Sequence, residues 1–116
     1  MAKSKLRVKR GDIWWVNFSP SIGSEIRKER PAIILSNNIV NKVLGRYQVV
    51  PLSRTVGKIY PSEVKISFDG KASKAIIDQL TTVSKERLDN KAGYVTKEDM
   101  IKIELAIKKQ LGMKDK

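Results

Sequence analysis

Cysteine and histidine are both missing from this chain. Without them there is no thiol nucleophile, no disulfide, no structural zinc site of the usual ligand types and no imidazole acid–base chemistry. Any catalysis must therefore use Arg, Lys, Asp, Glu, Ser, Thr, Tyr or the backbone. The absence of cysteine fits a reducing compartment. Long apolar runs are missing too, since none approaches the roughly 20 residues needed to span a bilayer. The opening MAKSKLRVKR is basic but leads into no apolar segment, so it does not read as a secretory signal, and a cytoplasmic location is expected. Acidic residues are scarce: 12 Asp and Glu face 24 Lys and Arg, a net charge of +12. The excess is uneven, with 12 basic against 3 acidic residues in 1–58 and 12 against 9 in 59–116. Such a balance suits a polyanionic partner, either nucleic acid or an acidic protein, although a basic surface can also serve solubility alone.

At 116 residues the chain is expected to form one domain, 11–112, with a basic mobile arm (1–10) and a short tail (113–116). No repeat, low-complexity tract or linker divides it. GDIWWVNF (11–18) reads as a strand rich in aromatic and β-branched residues. SPSIGSEIRKER (19–30) reads as a long loop, and PAIILSN (31–37) as a short strand covered on both faces. RYQVVPLS (46–53) is a third strand, whose Pro51 predicts an edge or a bulge. SEVKISF (62–68) alternates, with Val64, Ile66 and Phe68 on one face, and KAIID (74–78) and LTTV (80–83) add two short strands or one bent one. A short helical turn is predicted from Ser84. Thr96 and Asp99 fit a capping box, and Met100, Ile103, Ile107 and Leu111 follow at helical spacing as core residues, with a stop at Gly112. The sum is a mainly β (α+β) protein, a small bent antiparallel barrel with a C-terminal helix and a short helical turn. Trp14 and Trp15, adjacent on one strand, must face opposite ways, one into the core and one outward.

EIRKER (25–30) packs five charges into six positions, and Pro31 follows at once. A residue before proline is held in extended conformations, so Arg30 has a restrained backbone between a loop and a buried strand. Its guanidinium can bind phosphate oxygens bidentately and stays charged at any relevant pH. On composition alone, the simpler account of Arg30 is a solvated arginine at a strand entrance.

RGDIWWVNFSPSIGSEIRKERPAIILSNN resembles the opening of the MazF/PemK family of toxin endoribonucleases. The family's Gly-Asp strand, Pro-x-x-Gly-x-Glu loop and Arg-Pro strand entry correspond to Gly11-Asp12, Pro20, Gly23, Glu25 and Arg30-Pro31. VVPLS (49–53) is similar to its strand ending in Pro-x-Thr or Pro-x-Ser, and IDQLTTVSKERL (77–88) to its Asp-Gln strand and short Arg-Leu helix. Four motifs in order cover roughly residues 8 to 112.

The resemblance implies an SH3-like barrel, a homodimer, and cofactor-free, metal-independent cleavage of single-stranded RNA at short preferred sequences. The ribose 2′-OH would attack the adjacent phosphorus to leave a 2′,3′-cyclic phosphate and a 5′-OH, so DNA would not be cut. It implies neutralisation by an acidic antitoxin, which would lie across loop 19–30, and a DNA-binding toxin–antitoxin complex. Arg30 matches the catalytic arginine and Ser53 the catalytic Thr/Ser position, while Glu25 matches a loop glutamate of second rank. Gly23, Ser24, Arg27, Lys28 and Arg54 are the expected RNA-binding residues. Asp78, with Gln79 beside it, is a base in some members, but the arginine that then stands two residues earlier is Ile76 here. A structural carboxylate is the equal alternative. Two other functions on the same barrel are a toxin that binds a protein such as gyrase, and a non-catalytic RNA-binding module.

Overall fold

The computed structural model describes residues 7–20, 22–25 and 28–114. Seven strands form one antiparallel sheet: β1 (Asp12–Asn17), β2 (Glu29–Ile34), β3 (Arg46–Ser53), β4 (Glu63–Phe68), β5 (Lys71–Ile76), β6 (Thr81–Ser84) and β7 (Leu88–Tyr94). Two helices, α1 (Asn38–Val43) and α2 (Lys97–Gln110), and two 3-10 turns, Ile77–Gln79 and Lys85–Arg87, complete the described chain. The spatial order is β4-β5-β3-β2-β1-β7, with β6 also paired to β3. The result is a mainly β half-barrel with a C-terminal helix.

The central strands are apolar on both faces because both are covered. Ala32 and Ile34 of β2 join one core cluster with Trp14, Val16, Phe18, Tyr47, Val49 and Val83. Ile33, pointing the other way, joins a second with Val50, Leu52, Ile66, Phe68 and Ile103 of α2. This is why PAII reads as an unbroken apolar run. Trp14 is buried and Trp15 half-buried, as their adjacency requires.

Pro51 is neither at an edge nor in a bulge. It lies in the buried middle of β3, opposite Ala32 of β2. On its other side β3 changes neighbour, pairing with β6 as far as Val49 and with β5 from Leu52. The missing N–H of proline falls where that ladder is interrupted, so it costs no strand hydrogen bond there.

Three other local features depart from the sequence pattern. Thr96 caps α2 by accepting the Asp99 N–H at 3.1 Å, but the Asp99 carboxylate accepts the Ser67 N–H at 3.0 Å instead of closing the box. Helix and sheet are thereby tied together. Ile103 is fully buried on α2, whereas Leu111 is 56% exposed past the last turn. Residues 7–10 of the basic N-terminal segment run against the body, with Val8 in the core and Arg10 bonded to Leu35 O and Glu104; the remainder of that segment lies outside the described residues.

Candidate active site

The loop between β1 and β2 springs from the sheet end at which β2 begins and β3 finishes. Its base is closed by two hydrogen bonds, Phe18 N–H to Lys28 O (2.9 Å) and Lys28 N–H to the Ser19 hydroxyl (3.0 Å). Lys28 closes it with a left-handed backbone, φ 68°. From outside the loop, the Arg87 guanidinium donates to Asn17 O (2.9 Å) and Ser19 O (2.5 Å). Arg87 stands in the 3-10 turn before β7, so this one side chain straps the loop root to the far edge of the sheet.

At the loop tip, the Glu25 carboxylate accepts the Ile22 N–H at 2.9 Å while the Glu25 N–H donates to Ile22 O at 3.2 Å. Gly23 and Ser24 fill the turn between them, Gly23 at φ 62°. Glu25 thus spends one carboxylate oxygen on holding the tip. The Ile26 and Arg27 positions lie outside the described residues, and with them the expected role of Arg27.

Arg30 is half-buried and stands in β2 opposite Val16. The β2–β3 ladder runs from Ile34↔Val49 to Ala32↔Pro51. Continued by two residues, that register sets Arg30 and Ser53 opposite each other on the same face. The Ser53 hydroxyl accepts the Thr55 N–H at 3.2 Å, and its own proton has only a long contact, 3.4 Å, to Thr55 O. That proton is readily redirected to an incoming oxygen. Next to it, Arg54 lays its guanidinium 4.6 Å from the Phe68 ring centre, a cation–π contact that holds the charge at the surface.

A cleft of about 420 Å³ opens beside the loop, lined by Pro20, Glu25, Asp78, Gln79, Thr82 and Arg87 among others. The structure therefore brings together Glu25, Asp78 and Gln79, which lie more than fifty residues apart in sequence. Neither Arg30 nor Ser53 lines this cleft. Asp78 and Gln79 sit in the 3-10 turn that follows β5, the strand whose Lys74 pairs with Ser53. Arg87 was not singled out by the sequence, although it belongs to the Arg-Leu motif at 87–88. Among the described residues no group of three or more acidic side chains gathers as a metal ion would need.

The fold is an antiparallel half-barrel closed by a terminal helix, with a polar cleft under its first loop. The sequence matches the profile of the PemK-like, MazF-like toxins of type II toxin–antitoxin systems over residues 9–111, and the chain belongs to that family. It is similar to endoribonuclease MazF9 of Mycobacterium tuberculosis, 32% identical over 91% of this chain and 98% of that one. It is also similar to the endoribonuclease toxin MazF of Escherichia coli, 35% identical over 88% and 92%. Among solved structures, MazF of Deinococcus radiodurans superposes with a TM-score of 0.85 at 24% identity, over 94% of this chain and all of that one. A mycobacterial endoribonuclease in complex with its cognate antitoxin gives 0.78 at 24% identity, over 94% and 99%.

Proposed function

We propose that this protein is the toxin of a type II pair and acts as a sequence-specific, metal-independent endoribonuclease on single-stranded RNA. The observation that supports it is the β2–β3 ladder, which ends at Ala32↔Pro51, two residues short of both Arg30 and Ser53, at the sheet end where the loop bearing Glu25 leaves. The ribose 2′-OH attacks the adjacent phosphorus, the bond to the 5′ oxygen breaks, and the products are a 2′,3′-cyclic phosphate and a 5′-OH. The attacking hydroxyl loses one proton and the leaving oxygen gains one.

Arg30 stabilises the charge that builds on the pentacovalent phosphate, and the Ser53 hydroxyl donates to one of its oxygens. A guanidinium is a poor proton carrier near neutrality. Proton transfer therefore falls to water, Ser53 or the Glu25 carboxylate oxygen left over from the loop tip. Asp78 shares the cleft with Arg87, which supports a positioning role for this carboxylate. Lys28 and Arg54 attract the strand, together with the loop backbone at Gly23 and Ser24.

The protein works as a homodimer and is neutralised by an acidic antitoxin. A shallow apolar hollow lined by Leu35, Leu80, Ile107 and Met113 supports association with a second copy. The net charge of +12 supports an acidic partner. Among the described residues no helix is long and apolar enough to cross a membrane, and we place the protein in the cytoplasm with its RNA substrate. Incubation of the purified protein with a long single-stranded RNA in EDTA tests the enzyme reading. Discrete fragments with 5′-OH ends are expected, whereas RNA left intact over a broad range of pH and time would remove it.

A further inference from the structure

A second cavity, of about 490 Å³, lies between the N-terminal segment, α1, the start of β3 and the turn that follows β6. Arg7, Lys9, Lys42 and Lys85 line it, and no acidic residue does. Arg7 and Lys9 come from the basic N-terminal segment, Lys42 from α1 and Lys85 from the turn after β6, so the fold gathers charge from three parts of the chain. Among the described residues, ion pairs occupy Arg10, Lys74, Lys91 and Lys102, and none involves these four.

The cavity has a rigid frame. Asn41, 6% exposed, is locked by two bonds to Ser36, one from the Ser36 hydroxyl (2.5 Å) and one to its carbonyl (2.9 Å). The Lys85 N–H donates to Gly45 O at 3.0 Å, fixing the root of that lysine beside the turn into β3. Tyr47, only 4% exposed, also lines the cavity, and among the described residues no hydrogen bond uses its hydroxyl. Burial, and next the nearby Glu86 carboxylate, push the Tyr47 pKa up, so the phenol remains a donor. Glu86 itself is held by the Ser84 hydroxyl and does not line the cavity.

Four cations without an ion pair among the described residues and a phenol donor line one concave space with no carboxylate in its lining, and they describe an anion site despite Glu86 near Tyr47. Phosphate is the anion the proposed substrate carries at every nucleotide. Thr82 lines the cleft under the loop and Lys85 this cavity, and three residues of near-extended chain put them only about 10 Å apart. We propose that the Arg7–Lys9–Lys42–Lys85 cavity binds phosphate, and that its occupant is a backbone phosphate of the RNA strand beyond the bond to be cut. The choice of RNA as the source rests on the endoribonuclease reading; the phosphate chemistry does not.

The test uses the full chain and the double variant Lys42→Gln/Lys85→Gln, Lys42 being exposed and Lys85 half-buried. A fluorescent 2′-O-methyl RNA strand cannot be cleaved, so its binding reports on the cavity whether or not the protein is a nuclease. The variant is expected to bind it roughly three- to tenfold more weakly, the scale of two exposed ion pairs. The slope of log affinity against log salt should shrink by about 0.7, the value for one phosphate no longer neutralised. On cleavable RNA, KM should rise for long strands and kcat should hold. In parallel, millimolar inorganic phosphate or a nucleoside monophosphate should shift the amide signals of Lys42, Gly45 and Lys85. Shifts with unchanged strand binding would keep the phosphate site but overturn RNA as its source. No shifts and no loss of binding would overturn the proposal outright. Unchanged phosphate and RNA binding with loss of an acidic protein partner would overturn it in favour of a docking surface. If the parent protein cuts no RNA, the endoribonuclease reading fails while the two binding measurements still judge the cavity.

Discussion

The two cavities differ little in volume, about 420 and 490 Å³, and sharply in how charge is held. In the cleft under the β1–β2 loop the charges have both signs and are tied down. Arg87 is fixed on two carbonyls and Glu25 on the Ile22 N–H. In the second cavity the charges have one sign and no ion-pair partner among the described residues. Chemistry on a phosphate needs groups whose positions are set before substrate arrives, because transition-state stabilisation comes from preorganised dipoles and charges. Attraction of a polyanion needs only field, which flexible lysines supply. Fixed charges of both signs suit the cleft to positioning the β1–β2 loop, beside which Arg30 and Ser53 stand without lining it, whereas the second cavity offers field alone.

The largest expected effect falls on the proposed reacting groups, which line neither cavity. Arg30→Ala and Ser53→Ala should each lower the cleavage rate roughly 100- to 1,000-fold with the fold and dimer intact, the usual loss of one preorganised donor. Binding of an uncleavable strand should fall far less. An Arg30→Ala protein cutting at near the parent rate would falsify the assignment. Next comes Arg87→Ala, which releases the loop root from Asn17 and Ser19. A misplaced loop should cost roughly 10- to 100-fold in kcat/KM. Amide exchange at Phe18 and Lys28 should quicken in the same variant, since their bonds close the base that Arg87 straps. Exchange unchanged from the parent would show that the strap carries nothing.

Much of the fold was legible because the strongest local signals agreed with the tertiary structure. The both-sides-apolar PAII run, the alternation at Val64, Ile66 and Phe68 and the Thr96 cap all appear as the pattern implies. β7 was not legible. LDNKAGY carries Asp, Asn and Gly, poor strand formers, and it is a strand because β1 pairs with it through two register irregularities. α1 was missed as well. NIVNKV is too short to show a helical period, leaving Asn37, which accepts the Val40 N–H at 2.9 Å, as its one signal. For the site, the motifs named Arg30, Ser53, Glu25 and Asp78, but their mutual placement depends on strand register, which no local pattern encodes. Arg87 was visible only as half of an Arg-Leu pair. Of the cationic cavity only Arg7 and Lys9 were visible, as part of the basic opening segment; Lys42 and Lys85 join them through the fold.

A smaller effect serves as a control on the comparison. Thr96→Ala removes the cap of α2, which lines neither the cleft nor the cationic cavity. Stability should fall by about 1 kcal/mol, read from denaturant midpoints, while kcat and RNA affinity hold. A parallel loss of activity would mean that the cleft depends on global stability more than on its own hydrogen bonds.

The smallest effect concerns two acids outside both cavities, Glu29 of β2 and Asp89 of β7. Glu29, between Lys28 and Arg30 at the loop base, has its pKa raised above the ordinary 4.5 by desolvation first, then by a hydrogen bond with Asp89 and repulsion from it. A carboxyl whose folded pKa is raised favours the folded state while protonated, and that contribution is lost as pH climbs from its ordinary value through the raised one. At neutral pH the Glu29–Asp89 pair therefore works against the fold, and Asp89→Asn should raise the melting temperature slightly. Below the ordinary carboxylate range Glu29 is protonated with or without its neighbour, and the gain should vanish. A gain of equal size at neutral and acid pH would show that the repulsion is not its source.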